Sequence, residues 1–175
     1  MTPGISELRG FIRDFPDWPE KGIIFRDISP LLADSEAFCR AVEALAGPFE
    51  DERIDYVAAI EARGFIFGSA VAERLHAGFV PVRKQGKLPG DTLSATYDLE
   101  YGRNTLEIHK DCIKKGSRVL LVDDVLATGG TMAASAYLVE SSGGEIAGMS
   151  FLIELSALKG REKLKGYNIK SVIIY

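Results

Sequence analysis

Apolar positions along the chain change period repeatedly, and each change predicts an element. From Ile5 to Phe15, Leu8, Phe11, Ile12 and Phe15 fall at helical spacing, which predicts an amphipathic helix. Pro16 and Pro19 end it and begin an irregular segment. Asp34 or Ser35 caps a second helix running to about Ala46, where Gly47-Pro48 stops it. The run YVAAIE from Tyr56 is short and almost continuously apolar, as in a strand buried on both faces. A helical pattern from Phe65 to Leu75 follows, then Gly78 and the strand-like FVPVR. Residues 86–105 hold Gly, Pro and Thr with little apolar content, which predicts a mobile loop. RVLLVDD is another buried strand. TMAASAYLVE after Gly129-Gly130 is a helix closed by Gly143-Gly144, and EIAGMSFLIEL and SVIIY supply the last strands.

Strand and helix alternating at this spacing imply right-handed crossovers, hence an α/β domain whose mostly parallel twisted sheet is flanked by helices. Ligands of such sheets bind beyond the carboxyl ends of the strands. Glu61 to Gly64, Arg83 to Lys87, and Asp123 to Thr131 all fall there. The length of 175 residues suits one domain with a real core. A net charge of -4 gives no overall attraction to nucleic acid or an anionic membrane, so a polyanionic ligand needs a local concentration of positive charge. The first residues lack a basic segment followed by an apolar run, and no stretch is long enough for a membrane span. Cys39 and Cys112 stand apart with no partner at metal-ligand spacing, as expected of reduced cytosolic thiols. The expectation is a cytoplasmic protein with neither a nucleic-acid nor a membrane partner.

The most informative segment is VLLVDDVLATGGT, Val119 to Thr131. A buried strand ends in Asp123-Asp124, and Ala127, Thr128, Gly129, Gly130 and Thr131 lead into a helix. Adjacent glycines let a ligand approach the backbone closely. Free N–H groups at the helix start, with the Thr128 and Thr131 hydroxyls, suit a phosphate monoester. The two carboxylates upstream can accept hydrogen bonds from vicinal ribose hydroxyls. Phosphate donors and sugar acceptors thus lie one turn apart, as a ribose 5-phosphate requires. No Walker loop and no dinucleotide-binding glycine pattern is present.

This segment resembles the phosphoribosyl pyrophosphate motif of the type I phosphoribosyltransferases. EKGIIFRDISPLL, ARGFIFG, VRKQGKLPG, YDLEYG and ELSALKGREKL resemble, in order and spacing, those of the adenine-specific enzymes. The likeness runs from about residue 5 to 165. It implies the type I phosphoribosyltransferase fold in a single domain over residues 1–175. A small N-terminal hood would cover about 1–33, with a catalytic loop at about 86–105. It also implies that Phe25 stacks on the purine, that the backbone of Arg26 reads the ring edge, and that Ile24 and Leu155 complete an apolar slot. Stacking on an aromatic face is worth about 1–3 kcal/mol per base. The resemblance sets Arg63, Arg83 and Lys84 against the pyrophosphate, Arg83 acting within its own subunit or across a homodimer. Glu100 matches the proposed general acid/base.

The implied reaction is displacement of pyrophosphate by adenine N9, giving AMP through an oxocarbenium-like transition state. Asp123 and Asp124 lie near the developing charge. Mg²⁺ is expected to be held through substrate oxygens and water rather than by a dedicated protein site. A phosphoribosyltransferase for another purine base, or a non-catalytic sensor of phosphoribosyl pyrophosphate, would share the cradle. The GIIFRDI and ELSALKGREKL segments favour adenine, and the absence of room for a helix-turn-helix or a basic arm disfavours the sensor.

Overall fold

The structure, a computed structural model, describes residues 5–98 and 103–175. The chain divides into two compact units, Met1–Ala44 and Leu45–Tyr175.

In the first unit a 3₁₀ helix, Ile5–Phe11, precedes a two-stranded antiparallel ribbon of β1 (Arg13–Pro16) and β2 (Ile24–Asp27). The helix expected over Ile5 to Phe15 is therefore shorter than its apolar spacing suggested. Phe15 leaves it to pair with Phe25 across the ribbon, where Arg13 is ion-paired to Asp27 at 2.6 Å. A short helix α1 (Ser29–Ala33) follows. Helix α2 (Ser35–Ala46) starts where its capping signal places it, Asp34 Oδ1 accepting from the Ala37 N–H at 2.9 Å, and crosses into the second unit.

The second unit is built on β3 (Tyr56–Ile60), α3 (Arg63–Arg74), β4 (Gly78–Lys84), β5 (Thr92–Asp98), β6 (Arg103–His109), β7 (Arg118–Leu126), α4 (Gly130–Ser141), β8 (Glu145–Glu154) and β9 (Ile169–Ile174). Its seven-stranded sheet has the order β5-β6-β4-β3-β7-β8-β9. β4, β3, β7, β8 and β9 run parallel, and β5 and β6 form an antiparallel ribbon on one edge. Strand alternation gives each face its own helix. Ala58 and Ile60 join Met132, Leu138 and Val139 of α4 in one apolar cluster with Leu121 and Phe151. Ala59, on the opposite face, lies under α3 so closely that a Cβ on Gly68 would come within 2.4 Å of its methyl. Truncating a buried Leu121 would cost about 2–5 kcal/mol.

Two expectations change. Residues 92–98 and 103–109, within or beside the segment read as a loop, are paired strands. β5 carries Leu93, Ala95 and Tyr97 inward and Thr92, Ser94 and Thr96 outward, and β6 carries Leu106 and Ile108 inward with Arg103, Thr105, Glu107 and His109 on its other face. Low apolar content thus disguised a half-exposed ribbon. Asp123 and Asp124 do not end their strand either, for β7 continues to Leu126.

Candidate functional site

The continuation of β7 explains how the two acids are presented. β3 pairs with β7 only as far as Ala59↔Val122, while β8 pairs onward through Asp123↔Phe151, Val125↔Ile153 and Leu126↔Glu154. Asp123 and Asp124 therefore stand where the chain order of the sheet reverses and the end of β3 leaves a crevice, the usual ligand position in an open α/β sheet. The first turn of α3 closes one side. Gly64 approaches so tightly that a Cβ there would lie 2.7 Å from Asp123 Oδ1, so no larger residue fits without moving the acid. Next to it, Arg63 Nε lies 2.8 Å from Asp124 Oδ2, an ion pair without the alignment of a directed hydrogen bond.

Burial, with the neighbouring Asp124 charge, pushes the Asp123 carboxyl well above the usual range, and burial raises Asp124 against the opposing pull of Arg63. The pair is held under electrostatic tension, and the buried Asp124 Oδ2 has no hydrogen-bond donor. Hydroxyl donors or a cation would relieve both.

Beyond Leu126 the chain turns through Ala127 and Thr128 to Gly129, whose φ of 78° falls in the left-handed region. That conformation leads directly into α4, whose first N–H groups, from Gly130 to Met132, lack acceptors within the helix. Asp123, Ala127, Thr128, Gly129 and Thr131 line a hollow of about 60 Å³ over this helix start. Its partial positive charge and small size suit one phosphate group.

Glu61, just after β3, ties in the third segment. Its Oε1 accepts from the Lys84 N–H at 2.7 Å, and its Oε2 accepts from Arg83 Nε at 3.0 Å. Burial would raise its pKa, but these donors outweigh burial and hold the carboxyl below its ordinary range. Arg83 also donates to the Lys87 carbonyl at 3.1 Å, so its guanidinium is braced beside the crevice with further N–H groups to spare. The Lys84 side chain is exposed. The sequence placed Glu61 at the ligand end of the sheet but gave it no role, because a carboxylate after a strand signals nothing until its partner on the neighbouring strand is known.

The base-side residues are divided between the units. In the first, Phe25 packs edge-on against Trp18 with ring centroids 4.5 Å apart. The Arg26 side chain is ion-paired to Asp14 across the ribbon, so its contribution to a ligand would come from its backbone. Ile24 is exposed. In the second unit, Leu155 follows β8 and donates its N–H to the Leu126 carbonyl at 2.9 Å. Glu100 lies outside the described residues, between the paired Asp98 and Arg103. Among the described residues no three His, Cys, Asp or Glu side chains form a metal-binding group, and no helix is long and apolar enough to cross a membrane.

At this crevice an acid pair, a guanidinium and the start of a helix come together. Residues 32–174 match the model of the phosphoribosyl transferase domain, and the chain belongs to that family. Its relatives narrow this further. Over 168 residues it is 58% identical to the adenine phosphoribosyltransferase of Clostridium perfringens, covering 96% of this chain and 98% of that one. The crystal structure of the adenine phosphoribosyltransferase from Thermoanaerobacter pseudethanolicus superposes with a TM-score of 0.95 at 55% identity, over 98% of this chain and 100% of that one. The Saccharomyces cerevisiae enzyme, solved with D-2,5-dideoxy-2,5-imino-altritol 1,6-bisphosphate and adenine, gives 0.91 at 41% identity, over 96% and 97%. Within that family, the chain belongs with the adenine phosphoribosyltransferases.

Proposed function

We infer that this chain transfers the ribose 5-phosphate of phosphoribosyl pyrophosphate to N9 of adenine, giving AMP and pyrophosphate, as a purine-salvage enzyme. The observation that carries the reading is the crevice in which Asp123, Asp124 and Arg63 meet beside the hollow at the start of α4. The 5-phosphate sits on the N–H groups of Gly129, Gly130 and Thr131 with the Thr128 and Thr131 hydroxyls. Asp123 and Asp124 accept from the ribose hydroxyls, which supply the donors that Asp124 Oδ2 lacks. As the bond to pyrophosphate lengthens, positive charge grows on the ribose beside the acid pair, and the pair stabilises the transition state more than the ground state. Arg63, Arg83 and Lys84 meet the leaving pyrophosphate. Arg83 is pre-oriented for this by Glu61, which fixes its rotamer before ligand arrives.

Adenine stacks on Phe25, with the Arg26 backbone at its ring edge and Ile24 as an apolar neighbour. Glu100, in the sequence between β5 and β6, handles the proton of the base. The spare acceptors in the crevice are hard carboxylate oxygens, which fit Mg²⁺ held mainly through substrate oxygens and water. When bound, that ion neutralises charge on the leaving group. The enzyme works as a homodimer. The exposed Ile66 of α3 and Phe79 of β4, the strand that also carries Arg83, with Phe65 packed edge-on at 5.6 Å from Phe79, offer apolar surface that a second copy would cover. The thiols Cys39 and Cys112 are unpaired, which suits a reducing cytoplasm.

Offering adenine, hypoxanthine, guanine and xanthine in parallel with phosphoribosyl pyrophosphate and Mg²⁺ tests the reading. AMP from adenine alone is the expected result. A nucleotide from another base would overturn the assignment of Phe25 and Arg26, and no product from any base would overturn catalysis.

A further inference from the structure

The turn after β8, from Leu155 to Arg161, packs directly beneath the phosphate loop. A Cβ on Gly160 would lie 2.3 Å from the Ala127 carbonyl oxygen, and a Cβ on Gly129 would lie 2.5 Å from the Gly160 carbonyl oxygen. The two backbones touch through these two glycines, and Leu155 adds its hydrogen bond to the Leu126 carbonyl. Wherever the turn sits, the loop from Ala127 to Gly129 must follow.

Arg161 fixes the turn. Its Nε and Nη2 reach the two oxygens of Glu154, each at 2.7 Å, a paired fork that closes the end of the turn onto its start. Glu154 is buried, and Ser171 on β9 donates to its Oε2 at 2.6 Å. Arg161 Nη1 reaches the Ile169 carbonyl at 3.3 Å. A buried carboxylate thus collects donors from the turn and from the neighbouring strand, and its pKa is held below the usual range chiefly by the Arg161 hydrogen bonds. An ion pair so placed costs desolvation, and hydrophobic residues would fill the volume at least as favourably. A fork of fixed geometry gives register instead.

We propose that Arg161 is a positioning residue for the 5-phosphate site: by clamping Glu154 it holds the Gly160 backbone beneath Ala127–Gly129 and so sets the height of the phosphate-binding N–H groups. This rests on the phosphoribosyl reading of that loop. Arg161 touches no substrate and acts only through the turn.

The test is donor binding by titration calorimetry together with steady-state kinetics, on wild type, Arg161→Met, Arg161→Lys and Ser171→Ala. The expected result is a rise of about tenfold in the Kd and KM for phosphoribosyl pyrophosphate in Arg161→Met, since displacement of a binding group by a fraction of an ångström is costly. Turnover at saturating donor should change much less. Arg161→Lys should recover part of the loss, because it restores a charge without the fork. A purely structural Arg161 would instead lower thermal stability and leave the donor KM of the folded enzyme at the wild-type value, and that result overturns the proposal. If Arg161→Met does not fold, Arg161→Lys and Ser171→Ala decide. A raised donor KM in either upholds the clamp, and wild-type values in both overturn it. Failure of the wild type itself to bind donor would sink the phosphoribosyl reading rather than the clamp.

Discussion

Gly129 and Gly116 make a matched pair, because both hold nearly the same backbone, φ 78° and 77°, in different surroundings. A Cβ on Gly116 meets nothing within 4 Å, whereas one on Gly129 meets Gly160 O at 2.5 Å, Gly160 C at 3.2 Å and Gly160 Cα at 3.3 Å. Alanine at either position bears the left-handed cost of about 1–2 kcal/mol. Gly116→Ala should therefore lower Tm by roughly 2–8 °C, given about 2–4 °C per kcal/mol for a chain of this size, and leave kinetics untouched. Gly129→Ala must in addition open the contact to ordinary van der Waals distance, a displacement of roughly 0.9 Å from the 2.5 Å approach. The obstacle is backbone, not a side-chain tip that can swing away. A shift of about 1 Å in a positioning group can cost on the order of a hundredfold in rate. The expected outcome is a fall in kcat/KM for phosphoribosyl pyrophosphate of about ten- to a hundredfold in Gly129→Ala, with a Tm loss larger than that of Gly116→Ala. Thermal melts and initial-rate kinetics on both variants provide the assay. Equal donor kinetics in the two variants would refute the idea that close approach at Gly129 sets the phosphate site.

Two further outcomes follow from the charge distribution. Asp124→Asn should lower kcat/KM by about a hundredfold, the scale of losing one preorganised electrostatic group. Because burial raises the Asp124 pKa, its ionised form opposes folding at neutral pH, so thermal melts at pH 7 should show Tm unchanged or higher; a large fall in Tm would contradict this. Asp27 is the opposite case, held at about 2 chiefly by the Ser29 hydroxyl and N–H, then by Arg13. Its folded value is depressed, so its contribution is full above the ordinary carboxylate value and is lost as pH falls from about 4 towards 2. Ser29→Ala should flatten that part of the stability-versus-pH curve, and a curve of unchanged slope would show that Asp27 does not carry it.

The parallel core was legible because its strands are buried on both faces and read as continuous apolar runs, as in YVAAI and RVLLV. The turn into α4 was legible because helix starts and paired glycines announce themselves locally. What the sequence hid depends on partners distant along the chain. Asp123 and Asp124 look like a strand end, yet β8 carries the ladder on to Leu126. Phe15 continues a helical spacing, but cross-strand pairing with Phe25 takes it out of the helix. Arg83 is a loose basic residue in the sequence; a carboxylate on the adjacent strand end makes it a braced one. Arg161 sat inside a recognisable motif, but nothing local tells a clamp from a solvated guanidinium.

The edge ribbon has a mechanical consequence. β6 is joined to β4 at only the pairs Arg83↔Glu107 and Lys84↔Leu106, supplemented by bonds from the Gln85 and Gly86 N–H groups, while β5 and β6 hold each other over seven pairs. Its inward face rests on α4, with Ala95, Leu106 and Ile108 in the same buried cluster as Met132, Ala134 and Leu138, so the ribbon moves only as a stiff unit. At about 3.3 Å per residue, a rotation of about 20° near Leu106 would carry Arg103 through roughly 3 Å. The root lies next to Arg83, a residue assigned to the leaving pyrophosphate, and the far end adjoins the chain that carries Glu100. On the roles proposed above, an adjustment beside Arg83 would be passed along the ribbon towards the chain that carries Glu100.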